Sequence, residues 1–598
     1  MSFITSAHAT AAQVPLTTSQ MLGQKLMLDF RYYCGESKKP SGDCRAAMTT
    51  LPPELSELIS KYDIGGAILF AENVQNTAQI VSLTNALQSA AQQSKSQLPL
   101  FIAIDQEGGR VARINREQAT SFTGNMSIGA TYPKQGDIYA TKVASAIGKE
   151  LNSLGINVNF APTVDVNSNP NNPVINVRSF SENPEVVAKL GLAQVKAFEA
   201  AGVLSALKHF PGHGDTHVDS HTGLPRVDHD RDKINQQDLL PFAEIIKASP
   251  PGMIMTAHIQ YPALDNSKVV NSQGESMIRP ATMSYQIMTQ LLRHELGYQG
   301  VTVTDALDMA GISDFFNPVD ATIETFNAGV DIALMPIAIR NRADIKRFEQ
   351  YMAQLADALE TNKLNQAQLS SSMARIAMLK TKLPQSSASL AIANSTLGNP
   401  SHRRLEAELA LAAITEVKND GVLPLRDNAQ VVHLIMPDRQ KCFALEQALQ
   451  TYSKNSLTLS CTSLQAYDPD IAHDAIKQAD VIIAAHASPP QSAVEIGGMD
   501  DVKKLREHGV ARNVQPEALK ALLQYGQQQG KKQLFISLRA PYEISTFGPL
   551  SNAVLASYAY NVDVNHDKKV AGPAYTALAK VILGIAKAEG SLPVTVNH

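Results

Sequence analysis

The sequence predicts an α/β protein in two parts: an N-terminal (β/α)8 barrel of the TIM type, then a C-terminal doubly wound αβα sandwich. Three observations carry this prediction. The first 340 residues hold eight short, continuous apolar runs with helical patterns between several of them, as expected of parallel strands buried on both faces. Asp105, Lys208-His209, His258 and Asp305 each fall at the C-terminal end of such a run, the rim where these barrels gather their chemistry. A stretch rich in Ser, Ala, Asn and Pro then separates this part from a second set of strand and helix patterns.

In chain order, the barrel strands are read at residues 25–30, 66–70, 100–105, 158–162, 204–210, 253–258, 301–305 and 332–335. Eight β/α units spread over this length exceed the usual barrel of about 250 residues, so several loops are enlarged. Strands of the second part are read at 431–436, 457–460, 481–485, 534–538 and 554–558, and an Ala-rich helix at 573–589 closes it. The division predicted is a flexible N-terminus (1–15), a barrel (16–383), a linker (384–404) and an αβα domain (405–598). At 598 residues the chain is too long for one hydrophobic core.

Composition narrows the function. Fifty-two basic residues stand against 56 acidic ones, for a net charge of −4. With no basic stripe, nucleic acid is excluded as the main partner. No run of 18 apolar residues exists, so no membrane span is expected. The second part carries no Gly-rich phosphate-binding fingerprint, which leaves a nucleotide role without support. No metal and no organic cofactor is called for.

The four cysteines fall into two local pairs, Cys34 with Cys44 and Cys442 with Cys461. Two pairs with none left over suggest two disulfides and an oxidising compartment. Ala7-His8-Ala9 would suit a signal peptidase, although a charged n-region and an apolar h-region are missing. The reading is a sequence that starts near a mature N-terminus, of a periplasmic or secreted protein.

The densest cluster of titratable groups is the stretch from Lys208 to His221, with four histidines and two aspartates in fourteen residues. His209, His213, His217 and His221 recur every four residues, the spacing of a ligand ladder on a helix. Pro211, Gly212 and Gly214 break any such helix, and with it the case for zinc. His213 and His217 are read as braces of a polar loop. Asp219-Ser220-His221 differs, because a carboxylate beside an imidazole can fix its tautomer and stabilise imidazolium. Such a histidine suits general acid and then general base work.

The string Lys-His-Phe-Pro-Gly-His-Gly-Asp-Thr, followed by Asp-Ser-His, resembles the signature of bacterial β-N-acetylhexosaminidases of glycoside hydrolase family 3, the NagZ-like group. Ala103-Ile104-Asp105-Gln106-Glu107-Gly108-Gly109-Arg110-Val111, Asn176-Val177-Arg178-Ser179-Phe180, Met255-Thr256-Ala257-His258 and Val303-Thr304-Asp305-Ala306-Leu307-Asp308-Met309 match it too. The second part resembles the two-domain members in architecture only.

The resemblance implies that Asp305 attacks the anomeric carbon, with Asp308 as its competitor. It implies that His221 protonates the leaving oxygen and then activates water, oriented by Asp219. Asp105, Arg113, Arg178, Lys208 and His209 are implied to hold the hydroxyls and acetamido group of a terminal GlcNAc. Met309 is counted with them, and so is His258, which reads equally as a buried bracing histidine. The related β-glucosidases carry a Trp after the nucleophile; here it is Ala306, in a chain without tryptophan, which leaves room beside C2 for an N-acetyl group.

The function expected is an exo-acting, retaining β-N-acetylglucosaminidase that removes terminal β-GlcNAc from chitooligosaccharides or peptidoglycan fragments. It would act as a monomer or weak homo-oligomer. A phosphorylase that uses phosphate as acceptor is one alternative, since a neutral imidazole repels phosphate less than a glutamate base would. A non-catalytic glycan-binding protein is the other.

Overall fold

The computed structural model describes residues 16–596 apart from 38–39, 221–222, 385, 426–429, 455, 489–513 and 565–569. Eight strands build the first layer: β1 (Leu26–Asp29), β2 (Gly66–Leu69), β3 (Phe101–Ile104), β4 (Val158–Asn159), β5 (Leu204–Phe210), β6 (Met253–Thr256), β7 (Val301–Val303) and β8 (Ala333–Leu334). They pair in the order β7-β6-β5-β4-β3-β2-β1-β8. A parallel bridge from Val303 to Ile332 brings the two ends of that sheet together.

Side chains close the same seam. Asp331 Oδ2 accepts from Thr302 N–H at 2.8 Å and from Arg293 Nη2 at 2.7 Å, while its Oδ1 accepts from Ser372 Oγ and Arg375 Nη2, both at 2.7 Å. Burial alone would raise the Asp331 carboxyl, but Arg293 and Arg375 outweigh it and hold it at about 2.

Alternation along the strands sorts the side chains. Met27, Ile68, Phe101, Ala103, Val158, Leu204, Ala206, Met253, Met255, Val301 and Val303 share one buried cluster, the barrel interior. Leu26, Leu28, Leu69, Ile102, Ile104, Leu207 and Ile254 join the larger cluster formed with the surrounding helices. Counting on by two along β3, β5 and β7 reaches Asp105, Lys208 and Asp305. The strand pattern alone therefore aims these three at the mouth.

The second sheet comprises β9 (Thr415–Asn419), β10 (Gln430–Met436), β11 (Leu457–Ser463), β12 (Val481–His486), β13 (Lys532–Ser537) and β14 (Ala553–Ala556). Its order is β9-β14-β13-β12-β10-β11, parallel except for β9 against β14. The chain leaves β10 for β11 on one side and returns to β12 on the other, as in a doubly wound sheet. The last helix is shorter than expected, Pro573–Ile582. Gly584, at φ +70°, turns the chain where only glycine does so freely.

Within 384–404, helix Leu390–Thr396 and the start of helix Pro400–Ala413 are found. The latter is tied to the barrel: Glu406 Oε1 accepts from Phe122 N–H at 3.0 Å, and His402 Nδ1 lies 2.7 Å from Glu150 Oε1. Met126 and Ala130 share a buried cluster with residues of the second sheet. Further on, Pro593 C=O accepts from Ser181 Oγ at 2.7 Å and from Glu182 N–H at 3.2 Å, a strap laid back across the barrel. Two disulfides, Cys34–Cys44 and Cys442–Cys461, join the expected pairs. Among the described residues no helix is long and apolar enough to cross a membrane.

Candidate active site

Beyond β3 the chain doubles back in a short ladder, Gln106–Gly108 against Val111–Ala112. Asp105 and Glu107 are thereby presented to Lys208, whose Nζ lies 2.9 Å from Asp105 Oδ1 and 2.7 Å from Glu107 Oε1. Arg178, at the end of the turn Asn176–Arg178, grips Glu107 side-on, Nε to Oε2 at 2.9 Å and Nη2 to Oε1 at 2.7 Å. Arg113 Nη2 sits 3.8 Å from Asp105 Oδ2. Arg113, Arg178, Lys208 and Glu107 are all buried.

Burial alone would raise the Glu107 carboxyl, but Arg178 and Lys208 outweigh it and hold it well below the usual carboxylate range. Burial works the other way on Lys208 and Arg178, and there the neighbouring carboxylates win and raise both. For Arg113 burial prevails and lowers it. The result is a set of fixed charges that stays ionised in a dry setting.

The pairing of β5 with β6 slips between Leu207 and Phe210, so Lys208 and His209 both serve the site although they are neighbours in sequence. His209 Nδ1–H donates to Asp165 Oδ2 at 2.6 Å. Arginine only donates, so His209 Nε2 is the acceptor of its 3.4 Å contact with Arg178 Nη2.

The following loop is drawn onto the barrel rim. At Gly214 a Cβ would stand 1.7 Å from Val166 O, so no other residue fits. Asn172 Nδ2 donates to the carbonyls of His213 and Gly214 at 2.8 and 3.0 Å. His213 is buried, with Nδ1 2.7 Å from Thr216 Oγ1 and Nε2 3.0 Å from Ser220 Oγ. Burial, then the neighbouring His209, pushes His213 down to about 4, so it is neutral at pH 7. His217 Nδ1 accepts from Asn169 Nδ2 at 3.1 Å. Both histidines brace the loop.

Asp219 and Ser220 are buried beyond them; His221 lies outside the described residues. Asp305 follows β7, half-buried, with its N–H on Thr256 C=O at 3.1 Å and its Oδ1 accepting from Ala306 N–H at 2.8 Å. Asp308 lies in a separate cavity of about 410 Å³ with Asp29, Arg31, Arg45 and Arg340. Its carboxyl meets solvent there, yet the walls displace enough bulk water to push it, with help from Asp29, up to about 6.

Two more of the expected sugar contacts, His258 and Met309, are buried. His258 is wholly buried, with Nε2 donating to Ala306 C=O at 3.0 Å and Nδ1 2.9 Å from Thr282 Oγ1. Counted from Met253 and Met255, residue 258 is out of phase with the barrel interior, so it braces the wall under Ala306. Met309 is buried too, and precedes the short helix Ala310–Ser313. Glu107 and Asp165 went unassigned in the sequence. For Glu107 the signal was present, since it repeats the phase of Asp105; Asp165 has none, as its partner is a neighbour only in space.

Chemically, a half-buried carboxylate that strand parity aims at the same mouth as an ion-pair lattice full of donors suits attack at an electrophilic carbon of a hydroxyl-rich ligand. Residues 38–379 match the glycosyl hydrolase family 3 N-terminal domain. The chain is 99% identical over its full length to beta-hexosaminidase A of Pseudoalteromonas piscicida, all of which it covers. It is 35% identical over 286 residues to the beta-hexosaminidase of Neisseria meningitidis serogroup C, 47% of this chain and 73% of that one. A solved family 3 β-N-acetylglucosaminidase from Paenibacillus sp. FPU-7 superposes with a TM-score of 0.76 at 29% identity, over 97% of this chain and 99% of that one.

Proposed function

The chain belongs to glycosyl hydrolase family 3, and from that premise we propose an exo-acting, retaining β-N-acetylglucosaminidase. It is a glycoside hydrolase of the β-hexosaminidase kind, and its substrate is an oligosaccharide. The observation that carries the finer reading is the lattice of Asp105, Glu107, Arg178 and Lys208 at the barrel mouth, toward which strand parity also aims Asp305. Such a lattice suits the hydroxyls of one terminal sugar, in keeping with exo action.

In the first step Asp305 attacks the anomeric carbon, and the glycosidic bond breaks as His221 gives its proton to the leaving oxygen. A glycosyl ester on Asp305 results. In the second step His221 takes a proton from water as that water attacks the same carbon from the other side, releasing the sugar with its configuration retained and Asp305 free. Asp219 holds the imidazole and stabilises its charged form. Lys208 keeps two donors on carboxylates and turns the third toward a sugar hydroxyl; Arg113, Arg178 and His209 complete the hold. Asp305 is favoured over Asp308, because a carboxyl pushed up to about 6 is partly protonated in mild acid and is then a poorer nucleophile.

We further place the enzyme outside the cytoplasm, since two disulfides persist only where thiols are oxidised. There it would act on terminal β-GlcNAc of chitooligosaccharides or peptidoglycan fragments, as a monomer or weak homo-oligomer. The barrel alone would carry the chemistry, with the domain division at 384–404.

Nitrophenol release from the β-GlcNAc and β-glucose nitrophenyl glycosides tests the reading. Preference for GlcNAc, lost in Asp305→Ala, is expected; preference for glucose overturns it. The same assay in excess phosphate, analysed for sugar 1-phosphate, separates water from phosphate as acceptor.

A further inference from the structure

The segment after β3, residues 105–124, bears three groups of the ion-pair lattice: Asp105, Glu107 and Arg113. It closes on itself. Gly108 and Gly109 take φ of +96° and +63°, and Gly109 N–H donates to Ser121 C=O at 2.9 Å. A Cβ on Gly109 would stand 3.2 Å from Gly124 Cα, so residues 108–109 and 121–124 meet in a waist too narrow for a side chain at 109.

The barrel anchors this segment at two points away from the waist. Asn159 Oδ1 accepts from Gln106 N–H at 3.0 Å, and its Nδ2 donates to Gln106 C=O at 2.9 Å. Glu150 Oε2 accepts from Thr120 N–H at 2.9 Å. At the waist the anchors come from the second domain instead. Asn561 Nδ2 donates to Gly109 C=O at 3.1 Å. Glu406 Oε1 accepts from Phe122 N–H at 3.0 Å and from Arg116 Nη2 at 3.3 Å. Both residues are buried. The gap between residues 558–561 and the waist is only about 20 Å³, the scale of one water.

We propose that Asn561 and Glu406 are positioning residues: the second domain grips the two arms of the waist and so sets how Glu107 and Arg113 enter the sugar lattice. The inference rests on the reading of that lattice as the hold on a terminal sugar. Glu107 lies between Gln106, which the barrel anchors, and Gly109, which the second domain anchors. Arg113 lies on the chain between the two grips. Hydrogen bonds weaken steeply when they are misaligned, so a loosened waist loses hydroxyl contacts first. Asp305 stands on β7 and does not depend on the waist. Asn561 and Glu406 act on backbone groups of the loop.

Deoxy substrates test it, because each reports on one hydroxyl contact. The set is the nitrophenyl β-GlcNAc glycoside and its 3-, 4- and 6-deoxy analogues, compared by kcat/KM. For the native enzyme the most costly deletion should lower kcat/KM about 10- to 100-fold, the scale of a hydrogen bond to a charged group. With Asn561→Leu, which keeps the branched shape and removes the donor, that penalty should shrink by at least about threefold. Glu406→Ala should shrink it too. Glu406→Gln, whose amide oxygen still accepts from Phe122 N–H, should keep more of it. The penalty is a ratio of two rates on one preparation, so it does not depend on how much of a variant is folded. A variant that merely destabilises the protein lowers every substrate in proportion.

Asp105→Ala serves as the reference. If it shrinks the penalty while Asn561→Leu and Glu406→Ala leave it at the native value, the grip is wrong and the lattice stands. If no deletion costs the native enzyme, or if Asp105→Ala leaves the penalty unchanged, the lattice reading falls and the grip falls with it.

Discussion

Arg178 and Glu107 meet side-on through two parallel hydrogen bonds, 2.9 and 2.7 Å, and each side chain is at least 95% withdrawn from water. Lys208 adds a second cation to the same carboxylate at 2.7 Å. Removing the negative charge would leave two buried cations with one carboxylate, Asp105, between them. Glu107→Gln is therefore expected to lose about 3–5 kcal/mol of stability, read by chemical denaturation, and to raise KM. A variant with native stability would show that solvent reaches this lattice.

Asp305→Ala should abolish turnover of the nitrophenyl GlcNAc glycoside, by on the order of 10⁴-fold or more in kcat, with binding of the sugar product retained. Asp308→Asn should stay within about tenfold of the native rate. Inverted roles would appear as the opposite ranking.

His213 gives a stability effect with a defined sign. Its imidazole titrates near 6.5 when unfolded and at about 4 when folded. Between those values the unfolded chain binds a proton that the folded one does not. Its contribution is thus complete above pH 6.5 and is lost as pH falls toward 4, by about 3 kcal/mol at the limit. Denaturation curves at pH 7 and pH 4.5 should separate more for the native protein than for His213→Gln; parallel curves would place His213 in contact with water.

The Cys442–Cys461 disulfide joins helix Arg439–Tyr452 to β11 across 19 residues. Closing a loop of that length stabilises by about 3 kcal/mol. A Cys442→Ser, Cys461→Ser double variant should lower the unfolding midpoint of the second domain while kcat/KM on the aryl glycosides holds. Loss of activity would mean that this edge of the sheet supports the barrel mouth.

Much of this architecture is legible in the sequence, for reasons that are physical. Strands buried on both faces must be continuously apolar, so 204–210 and 253–256 stand out, and strand parity then aims Asp105, Lys208 and Asp305 inward. What cannot be read is set by contacts distant in sequence. Glu107 owes its role to Arg178, 71 residues on, and Asp165 to His209, 44 residues on. His258 ends an apolar run, which fits a mouth residue and a buried brace equally; β6 stops at Thr256 and the ring bonds to the Ala306 carbonyl, a contact that the run does not reveal. The helix over 573–582 ends earlier than its composition suggests because Gly584 provides the stop, a signal that the Ala-rich pattern outweighed.

The strap from Pro593 to Ser181 and Glu182 lies only three and four residues beyond Arg178. A gene fragment cut at the edge of the barrel would encode Asp105, Lys208 and Asp305 and still leave the Arg178 segment without that anchor. Grafting the second domain of a relative onto this barrel would pose the same problem, since residues 591–595 would have to be matched to the host. For protein engineering, the unit of exchange is the pair and not the barrel.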